Sequence, residues 1–253
     1  MLEIQAAERL PMPAPTPAPE PEPGAAPASA SKARRRAGRP MARILDQNGI
    51  TTAALELISS KGYDGLTMAA LARSLGVAPS ALYNHVASKD DVLLLVEDHL
   101  AAMVDVSAFG VEPWDVAVRR WAWSYRDVFS EHTPLIPVIA VLPVANAPKT
   151  LAMYEAVTAG FRDAGFPEEK IISAIVALEA FVFGAAYDVT APEDIFDAGS
   201  LADQVPNFTA AVDRLALERH PRPTDVAFSL GLEALITGFG ALRGAPTDSS
   251  GDQ

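Results

Sequence analysis

The chain has 253 residues, 49% of them hydrophobic, and 20 Lys and Arg against 32 Asp and Glu, so its formal net charge is −12. It contains no cysteine, which excludes disulfide scaffolds, thiolate zinc sites, iron–sulfur clusters and cysteine catalysis. The acidic total counts at first against nucleic-acid binding, because phosphates attract surplus Lys and Arg. No apolar run reaches the roughly 18 residues of a membrane span. The start of the chain also lacks a signal-peptide pattern, so we expect a cytoplasmic protein with no membrane partner.

Two segments at the start of the chain have an unusual composition. Residues 1–31 carry proline at nearly every second position of PMPAPTPAPEPEPGAAPASA. Because proline lacks a backbone donor and favours extended polyproline II, we expect a disordered, solvated tail, either a spacer or a ligand for an SH3-type domain. Residues 32–43 follow as a basic run without an acid, including Arg34, Arg35, Arg36 and Arg39.

Charge is divided unevenly along the chain. Residues 1–31 hold one Arg and four acids, residues 32–95 hold nine basic and five acidic residues, and residues 96–253 hold ten basic and 23 acidic residues. A segment of net charge +4 therefore precedes one of net charge −13. This division predicts a basic module fused to an acidic one.

From about Asp46 onward the sequence alternates helical patterns with short breaks and shows almost no period-2 alternation, which predicts an all-α fold. Asp46 or Asn48 can cap a first helix that runs to about Lys61, after which Gly62 can adopt positive φ.

Two short helices are predicted next. Thr67 can cap the first, Gly76 ends it, and Pro79 suits the first turn of the second. Two short helices around a Gly-containing turn, braced by a longer helix, form the helix-turn-helix arrangement that places its last helix in the DNA major groove. A helical hairpin with a polar outer face fits the same spacing.

Residues 54–96 as a whole carry a more specific signal. Their motifs are Lys61-Gly62-Tyr63, Gly65-Leu66-Thr67, Leu75-Gly76-Val77, Leu82-Tyr83-Asn84-His85-Val86 and Ser88-Lys89. In this order the motifs closely resemble the DNA-binding domain of the TetR family of transcriptional regulators. The resemblance implies a three-helix DNA-binding domain over residues 44–92, a larger helical regulatory and dimerisation domain over residues 93–243, and a disordered tail over residues 244–253.

The resemblance also implies which residues contact DNA. In the family, the aromatic residue, the histidine and the lysine of these motifs meet the DNA backbone, and residues that open the third helix meet the bases. Carried over residue by residue, the expected DNA-binding residues are Thr67, Pro79, Ser80, Ala81, Tyr83, Asn84, His85 and Lys89. Ala69 stands where some members carry a base-reading Arg, so we expect a different operator that is read more through Asn84 and DNA shape.

The basic run of residues 32–43 has two interpretations. One is a solubilising linker. Beside a DNA-binding domain we favour an arm, in which the four arginines at positions 34, 35, 36 and 39 follow the DNA backbone or enter a narrow minor groove.

Residues 205–215 and 227–242 resemble the tetracycline-repressor-like C-terminal domain of the family. This implies a homodimer in which the predicted helices at 168–189 and 224–242 of each subunit form a four-helix bundle. Small residues in these helices would permit close approach, or reflect ordinary interior packing: Ala174, Ala177, Ala180, Gly184, Gly231, Ala234 and Gly238. A two-fold dimer suits a palindromic operator with half-sites about 34–36 Å apart.

A ligand pocket is implied between the fourth helix and the helices of residues 113–187. The candidate ligand-binding residues, each of which also fits an ordinary core role, are Leu100, Met103, Asp105, Trp121, Tyr125, Ile139, Phe161 and Phe181. The imidazoles that hold a drug–magnesium complex in some members are missing, so we expect no metal and no other cofactor. We expect a small, largely apolar or aromatic effector, oriented by Tyr125 and by Asp105 or Arg126.

These implications favour a repressor that its effector releases from the operator by displacing the fourth helix. A DNA-binding dimer without an effector, and an activator or corepressor-dependent member, are the alternatives. We do not expect an enzyme, because the four histidines are dispersed and no HExxH or GxSxG motif occurs. His99, with Glu97 and Asp98, is predicted to form a polar patch on the fourth helix.

Overall fold

The computed structural model describes residues 45–192, 194–217 and 223–243. Every regular element in these ranges is a helix, as the sequence predicts. The four arginines at positions 34, 35, 36 and 39, and both predicted terminal tails, lie outside the described residues.

The N-terminal part consists of four helices whose ends follow local rules. They are α1 (Gln47–Lys61), α2 (Met68–Leu75), α3 (Pro79–Tyr83) and α4 (Lys89–Ala101), with a 3-10 turn at Tyr63–Gly65 after α1. Asp46 Oδ1 accepts a hydrogen bond from Gly49 N at 2.7 Å, and Thr67 Oγ1 accepts one from Ala70 N at 3.1 Å. Gly76 is left-handed with a φ of 69°, which turns the chain from α2 towards α3. The predicted caps are confirmed.

Helix α4 begins in a capping box. Ser88 Oγ accepts from Asp91 N at 3.1 Å, while Asp91 Oδ2 accepts from Ser88 N at 3.1 Å and from Ala87 N at 2.7 Å. The helix then crosses the expected domain boundary at residues 92 and 93, both of which are buried. One continuous hydrophobic core therefore joins the N-terminal helices to the rest of the described residues.

Six further helices build the larger part. They are α5 (Trp114–Ser130), α6 (Ile136–Ile139), α7 (Pro148–Asp163), α8 (Glu168–Asp188), α9 (Pro206–Leu217) and α10 (Pro223–Gly240), with 3-10 turns at Thr133–Leu135 and Gly199–Gln204. Helix α8 packs most extensively against α5, α7 lies between α4 and α8, and α10 covers α5 and α8. Helices α5, α7 and α10 therefore all pack against α8.

Helix α8 has the length and composition of a membrane span, with 21 residues and a mean hydropathy of 1.7. An unbroken apolar run of about 18 residues is nevertheless absent from this helix, because Ser173 and Glu179 interrupt it. The fold accounts for the composition differently. One face of the helix is buried against α5 and α7, and the opposite face is apolar and exposed.

Two ion pairs fix α10 to α5. Arg126 Nη1, on α5, bonds Asp225 Oδ1 at 2.7 Å, and its guanidinium lies 5.3 Å and 4.9 Å from the ring centroids of Trp123 and Phe228. Arg119, also on α5, donates hydrogen bonds from Nε and Nη2 to the two carboxylate oxygens of Glu233, at 2.6 and 2.9 Å. The N-terminal and middle turns of α10 are therefore anchored to α5.

The close approach of α8 and α10 within one subunit depends on a glycine. Phe181 stacks on Phe228 with ring centroids 5.2 Å apart, and a Cβ on Gly231 would lie 2.6 Å from the ring of Phe181. Ala174 is also buried in the subunit core. Gly231 and Ala174 thus serve interior packing, whereas the other small residues noted on these helices are exposed: Ala177, Ala180, Gly184, Ala234 and Gly238.

Candidate DNA-binding surface and effector centre

Helix α3 has one buried face and one open face. Leu82 and Val86 are buried and hold the helix on the small core of α1 and α2. The structure brings most of the expected contacts together on the open face, where Pro79, Ser80, Tyr83, Asn84 and His85 are exposed and Ala81 is half-buried. Asn84 follows the last residue of α3 but keeps right-handed helical angles, so it continues the same turn.

The other two expected DNA contacts, Thr67 and Lys89, each already have a partner within the chain. Thr67 is exposed, but its hydroxyl caps α2. Lys89 Nζ lies 3.6 Å from the ring centroid of Tyr63 and donates to the Tyr63 carbonyl at 3.4 Å. The aromatic ring thus orients the ammonium at the first turn of α4.

Few basic residues lie in the described DNA-binding part. Between positions 45 and 95 the sequence has only Lys61, Arg73 and Lys89, against five acids. The surplus of positive charge in residues 32–95 therefore comes entirely from the basic run before this part.

The expected ligand-binding residues separate into several places. Leu100, Trp121, Tyr125 and Ile139 are buried in the core beside α4 and α5. The ring centroids of Trp121 and Tyr125 are 5.6 Å apart. All four therefore belong to the hydrophobic core of the subunit.

The other four expected ligand residues lie elsewhere. Phe161 packs on Trp114 at the start of α5, and Phe181 stacks on α10. Met103 is 53% exposed, because α4 ends at Ala101, two residues before it. The carboxylate of Asp105 accepts from Ser107 N at 2.9 Å in a local turn, and hydrogen bonds from the side chain and then the backbone of Ser107 lower its pKa.

A buried polar cluster, which the sequence analysis did not predict, occupies the centre of the larger part. Glu97 on α4 is 5% exposed and Glu179 on α8 is 8% exposed. Glu179 Oε1 accepts hydrogen bonds from the hydroxyl of Tyr154 at 2.7 Å and from that of Tyr125 at 3.1 Å. We call these four residues the acid–tyrosine cluster.

The prediction of a surface patch at Glu97, Asp98 and His99 is wrong, because the first two side chains are buried between α4 and its neighbours and His99 is half-buried. A signal was available, since Glu97 lies among the buried apolar positions of α4 and Glu179 interrupts an otherwise apolar helix. Periodicity alone did not show that these two acids face each other.

Burial changes the acidity of the cluster. It raises the pKa of Glu97 to about 7, and the nearby carboxylates of Glu179 and Asp98 add to the effect. Burial also raises the pKa of Glu179, against the opposing effect of its two tyrosine donors. The pKa of Tyr125 is raised by burial and by the carboxylate of Glu179. Such perturbed groups in one place are typical of a functional site.

Hydrogen-bonding capacity remains unused around the cluster. Within the described part of the chain, Glu97 Oε2 and Trp121 Nε1 are both buried and have no hydrogen-bond partner. Most buried polar atoms in folded proteins are partnered, so these two atoms, like those of Trp114, Arg126 and Thr150 elsewhere in the core, are open to a ligand group or to water.

A separate open cleft of about 380 Å³ lies at the start of α5. It is lined by residues 109–115, Ala117, Gly160, Asp163, Ala164 and Arg243. None of the expected ligand-binding residues lines the cleft. No residue of the acid–tyrosine cluster lines it either, so the cleft and the cluster are distinct.

Comparison with known proteins covers both parts of the chain. Residues 50–96 match the family model of bacterial regulatory proteins of the tetR family, and residues 109–243 match that of the tetracyclin repressor-like C-terminal domain. An HTH-type transcriptional regulator of Saccharopolyspora erythraea is 31% identical over 142 residues, which are 56% of this chain and 60% of that protein. The tetracycline repressor class E of Escherichia coli is 27% identical over 79% of this chain and 93% of its own length.

Solved structures agree in fold. The TetR family protein ActR of Streptomyces coelicolor, in complex with actinorhodin, superposes with a TM-score of 0.64 at 28% identity and covers 80% of this chain and 98% of its own. The C-terminal match alone spans more than half of the chain, and the helix-turn-helix match precedes it in the family's order. The chain therefore belongs to the TetR family of bacterial regulators, which are DNA-binding proteins that control transcription and not enzymes.

Proposed function

We propose that the protein is a repressor that binds a palindromic operator as a homodimer and is released by a small, largely apolar effector. The observation that carries the proposal is the course of α4. Its first turn, with Lys89, begins six residues after the last residue of α3, and its last turns place Glu97 and Leu100 in the buried core. One helix therefore connects the region of α3 to the buried core of the larger part.

On the DNA side, exposed Pro79, Ser80 and Asn84, together with Ala81, face the groove in this proposal. Tyr83, His85 and Lys89 contact phosphates, and Thr67 lies at the edge of the same surface. Because acids outnumber basic residues between positions 45 and 95, much of the attraction for phosphate has to come from the arm at positions 34, 35, 36 and 39. Because the protein binds operator DNA in this proposal, it acts in the cytoplasm.

The homodimer is supported by the exposed faces of α8 and α10. Leu230 on α10 is 75% exposed, and the same helices expose Ile172, Val176, Tyr187 and Val226. Exposed small residues, among them Ala180 and Gly184, lie on α8 between these apolar side chains. Two copies that bury these faces form a four-helix bundle, and their two-fold axis sets two α3 helices at successive major grooves.

The effector is proposed to bind among Leu100, Trp121, Tyr125 and Ile139, next to the acid–tyrosine cluster. ActR, a structural relative, has been solved with actinorhodin, which supports a small-molecule effector here. An effector that binds best when α4 is displaced changes the separation of the two α3 helices. By linkage, operator DNA then weakens effector binding by the same factor, typically about 1–3 kcal/mol.

The proposal is tested by selecting bound fragments from random DNA and measuring the mass and operator affinity of the protein. We expect an inverted repeat, a dimer in solution, and loss of both dimer and operator binding in Leu230→Glu. Val141→Glu changes an equally exposed apolar residue outside α8 and α10, and we expect it to remain a dimer. A Leu230→Glu variant that stays dimeric, or a selected site without symmetry, would contradict the proposal.

A dimeric regulator without an effector remains the second candidate, because every aromatic residue of the centre also packs as core. Thermal unfolding of the protein with a library of apolar and aromatic compounds, with and without operator DNA, distinguishes the two. A compound that stabilises the free protein and weakens DNA binding supports the repressor. A reporter gene behind the selected operator then distinguishes repression from activation.

A further inference from the structure

We propose that the effector carries a positive charge beside an aromatic or apolar group, and that Glu97 and Glu179 receive this charge in the acid–tyrosine cluster. The inference rests on the proposed function and names the chemical class of its effector. It begins with two carboxylates from different helices, α4 and α8, which come together in the interior of the domain.

The two carboxylates are not equivalent. Glu179 is held in place by the hydroxyls of Tyr154 and Tyr125, which both donate to its Oε1 atom at 2.7 and 3.1 Å. Glu97 is 5% exposed, and among the described residues its Oε2 atom has no donor. One acid is therefore oriented in advance, while the other presents an unpartnered oxygen to the same interior space.

Among the ion pairs of the described residues, none joins a basic side chain to Glu97 or Glu179. The charged groups that raise the pKa of Glu97 are Glu179 and Asp98, both acids. Arg126 is buried on α5, one residue after Tyr125, but it is bonded to Asp225, and its guanidinium lies 5.3 Å and 4.9 Å from the ring centroids of Trp123 and Phe228. A buried carboxylate without a cation is unfavourable, so it is neutralised either by a proton or by a cationic ligand.

The surroundings suit an organic cation. The ring centroid of Tyr125 lies 5.6 Å from that of Trp121 and 5.4 Å from that of Phe183, and Phe129 packs at 5.1 Å from Phe183. Faces of aromatic rings attract ammonium groups, and this attraction grows when water is excluded. Trp121 Nε1 adds an unused donor for an oxygen of the same ligand.

A metal ion fits the cluster less well than an organic cation. Among the described residues, no third carboxylate or imidazole joins the two acids in a group able to hold a metal. Asp98, the nearest additional acid on α4, has Oδ1 bonded to the backbone of α7. The donor set is two carboxylates and two tyrosine hydroxyls within an aromatic wall, which favours an amine or quaternary ammonium.

Cation binding at Glu97 has a consequence that does not depend on transcription. In the free protein near neutral pH, Glu97 holds a proton for part of the time, because its pKa is about 7. A bound cation favours the ionised carboxylate, so binding releases a proton to the buffer. Calorimetric titration in two buffers of different ionisation enthalpy measures that release.

The test uses cations and neutral molecules of the same shape on the full chain. The cationic probes are benzyltrimethylammonium and 10-methylacridinium, and their neutral counterparts are neopentylbenzene and 9-methylanthracene. We expect at least one cation to bind about tenfold or more tightly than its counterpart and to release a proton. Glu97→Gln and Glu179→Gln should remove this preference, and Glu169→Gln, an exposed acid on α8, should keep it.

Two results would overturn the inference. One is equal or weaker binding of both cations relative to their neutral counterparts. The other is a cation preference that persists when Glu97 and Glu179 are both changed to Gln. In either case, the proposed function still stands if neutral compounds bind the protein and dissociate it from DNA. The proposed function itself is contradicted if random DNA yields no selected operator or if the protein is not a dimer. Glutamine keeps the shape of glutamate, and far-ultraviolet circular dichroism checks that each variant folds.

Discussion

Asp98 on α4 caps the helix that begins at Pro148, because its Oδ1 atom accepts a hydrogen bond from the backbone N–H of Lys149 at 2.6 Å. The same oxygen accepts from Thr150 N at 3.1 Å. Helix α7 has no side-chain cap from its own N-cap residue, Ala147. A side chain 51 residues away therefore supplies the cap and joins α4, which leads from the DNA-binding part, to α7.

Asp98→Ala should destabilise the protein by about 1–2 kcal/mol, the usual cost of removing a helix cap. Asp98→Asn keeps an acceptor and should lose less. Urea unfolding followed by circular dichroism measures both, with Asp213→Ala, an exposed acid on α9, as the control. Equal stability of Asp98→Ala and the control would show that the cap contributes nothing.

Glu97 should make stability depend on pH. Its pKa is about 7 in the folded protein and 4.5 ordinarily, so folding takes up a proton between these values. Its contribution to the free energy of unfolding is thus complete below about pH 4.5, falls as the pH rises through about 7, and is then lost. Glu97→Gln should match the wild type near pH 5 and be more stable near pH 8, by about 1–3 kcal/mol.

Chemical unfolding at several pH values measures this difference. Glu169→Gln serves as the control, since its parent carboxyl is exposed on α8. Glu179 is present in both Glu97→Gln and the wild type, so the difference between them reports Glu97 together with its coupling to Glu179. A variant curve parallel to that of the wild type across the whole range would refute the assignment.

Asn84 and His85 should affect DNA binding differently. Asn84→Ala should relax the preference at one base position by about 1–3 kcal/mol, because the side chain that reads that base is removed. His85→Ala should weaken all sequences alike, since phosphates carry no sequence information. Fluorescence anisotropy with the selected operator and its single-base variants separates the two patterns, and Ser60→Ala on α1 is the control. A uniform loss in Asn84→Ala would remove its assigned role in base recognition.

The basic arm should set the salt dependence of operator binding. Replacing Arg34, Arg35, Arg36 and Arg39 with Gln should flatten the log–log slope of affinity against salt by about 0.9 for each phosphate that the arm no longer neutralises. Arg214→Gln, on α9, should leave the slope unchanged. An unchanged slope in the fourfold variant would identify the run as a linker.

Gly231 should be intolerant of a side chain. In Gly231→Ala the new Cβ meets the ring of Phe181, which is stacked on Phe228 and has little room to move. We expect a loss of about 1–3 kcal/mol, typical of overpacking. Phe181→Leu removes the ring, so the same alanine should cost less in that background, and a double-mutant cycle by urea unfolding measures the difference. Additive effects would show that the contact between position 231 and Phe181 does not limit how closely α8 and α10 approach each other.

Features governed by local rules could be predicted from the sequence. Asp46, Thr67, Gly76 and the Ser88–Asp91 capping box all follow from residue type and short spacing, and the structure confirms them. The exposed face of α3 also follows locally, because Leu82 and Val86 fix which side is buried.

The buried centre could only partly be predicted, because it depends on contacts between helices. Tyr125 and Trp121 were found through the family resemblance, but Glu97, Tyr154 and Glu179 come together from three helices. An acid in a helical pattern is usually solvent-exposed, which is why a surface position is the natural expectation for Glu97. Phe181 faces α10 for a similar reason, since periodicity does not say which neighbour covers a face.

The attachment of α10 determines which parts of the subunit can move. Ion pairs from Arg119 and Arg126, and the ring of Phe181 against Gly231, hold α5, α8 and α10 in a fixed register before any second molecule arrives. A partner that docks on α8 and α10 therefore meets a preorganised surface and loses little conformational entropy in ordering it. Helices α5, α8 and α10 then form one connected frame, and we expect an effector that displaces α4 to move that helix relative to this frame.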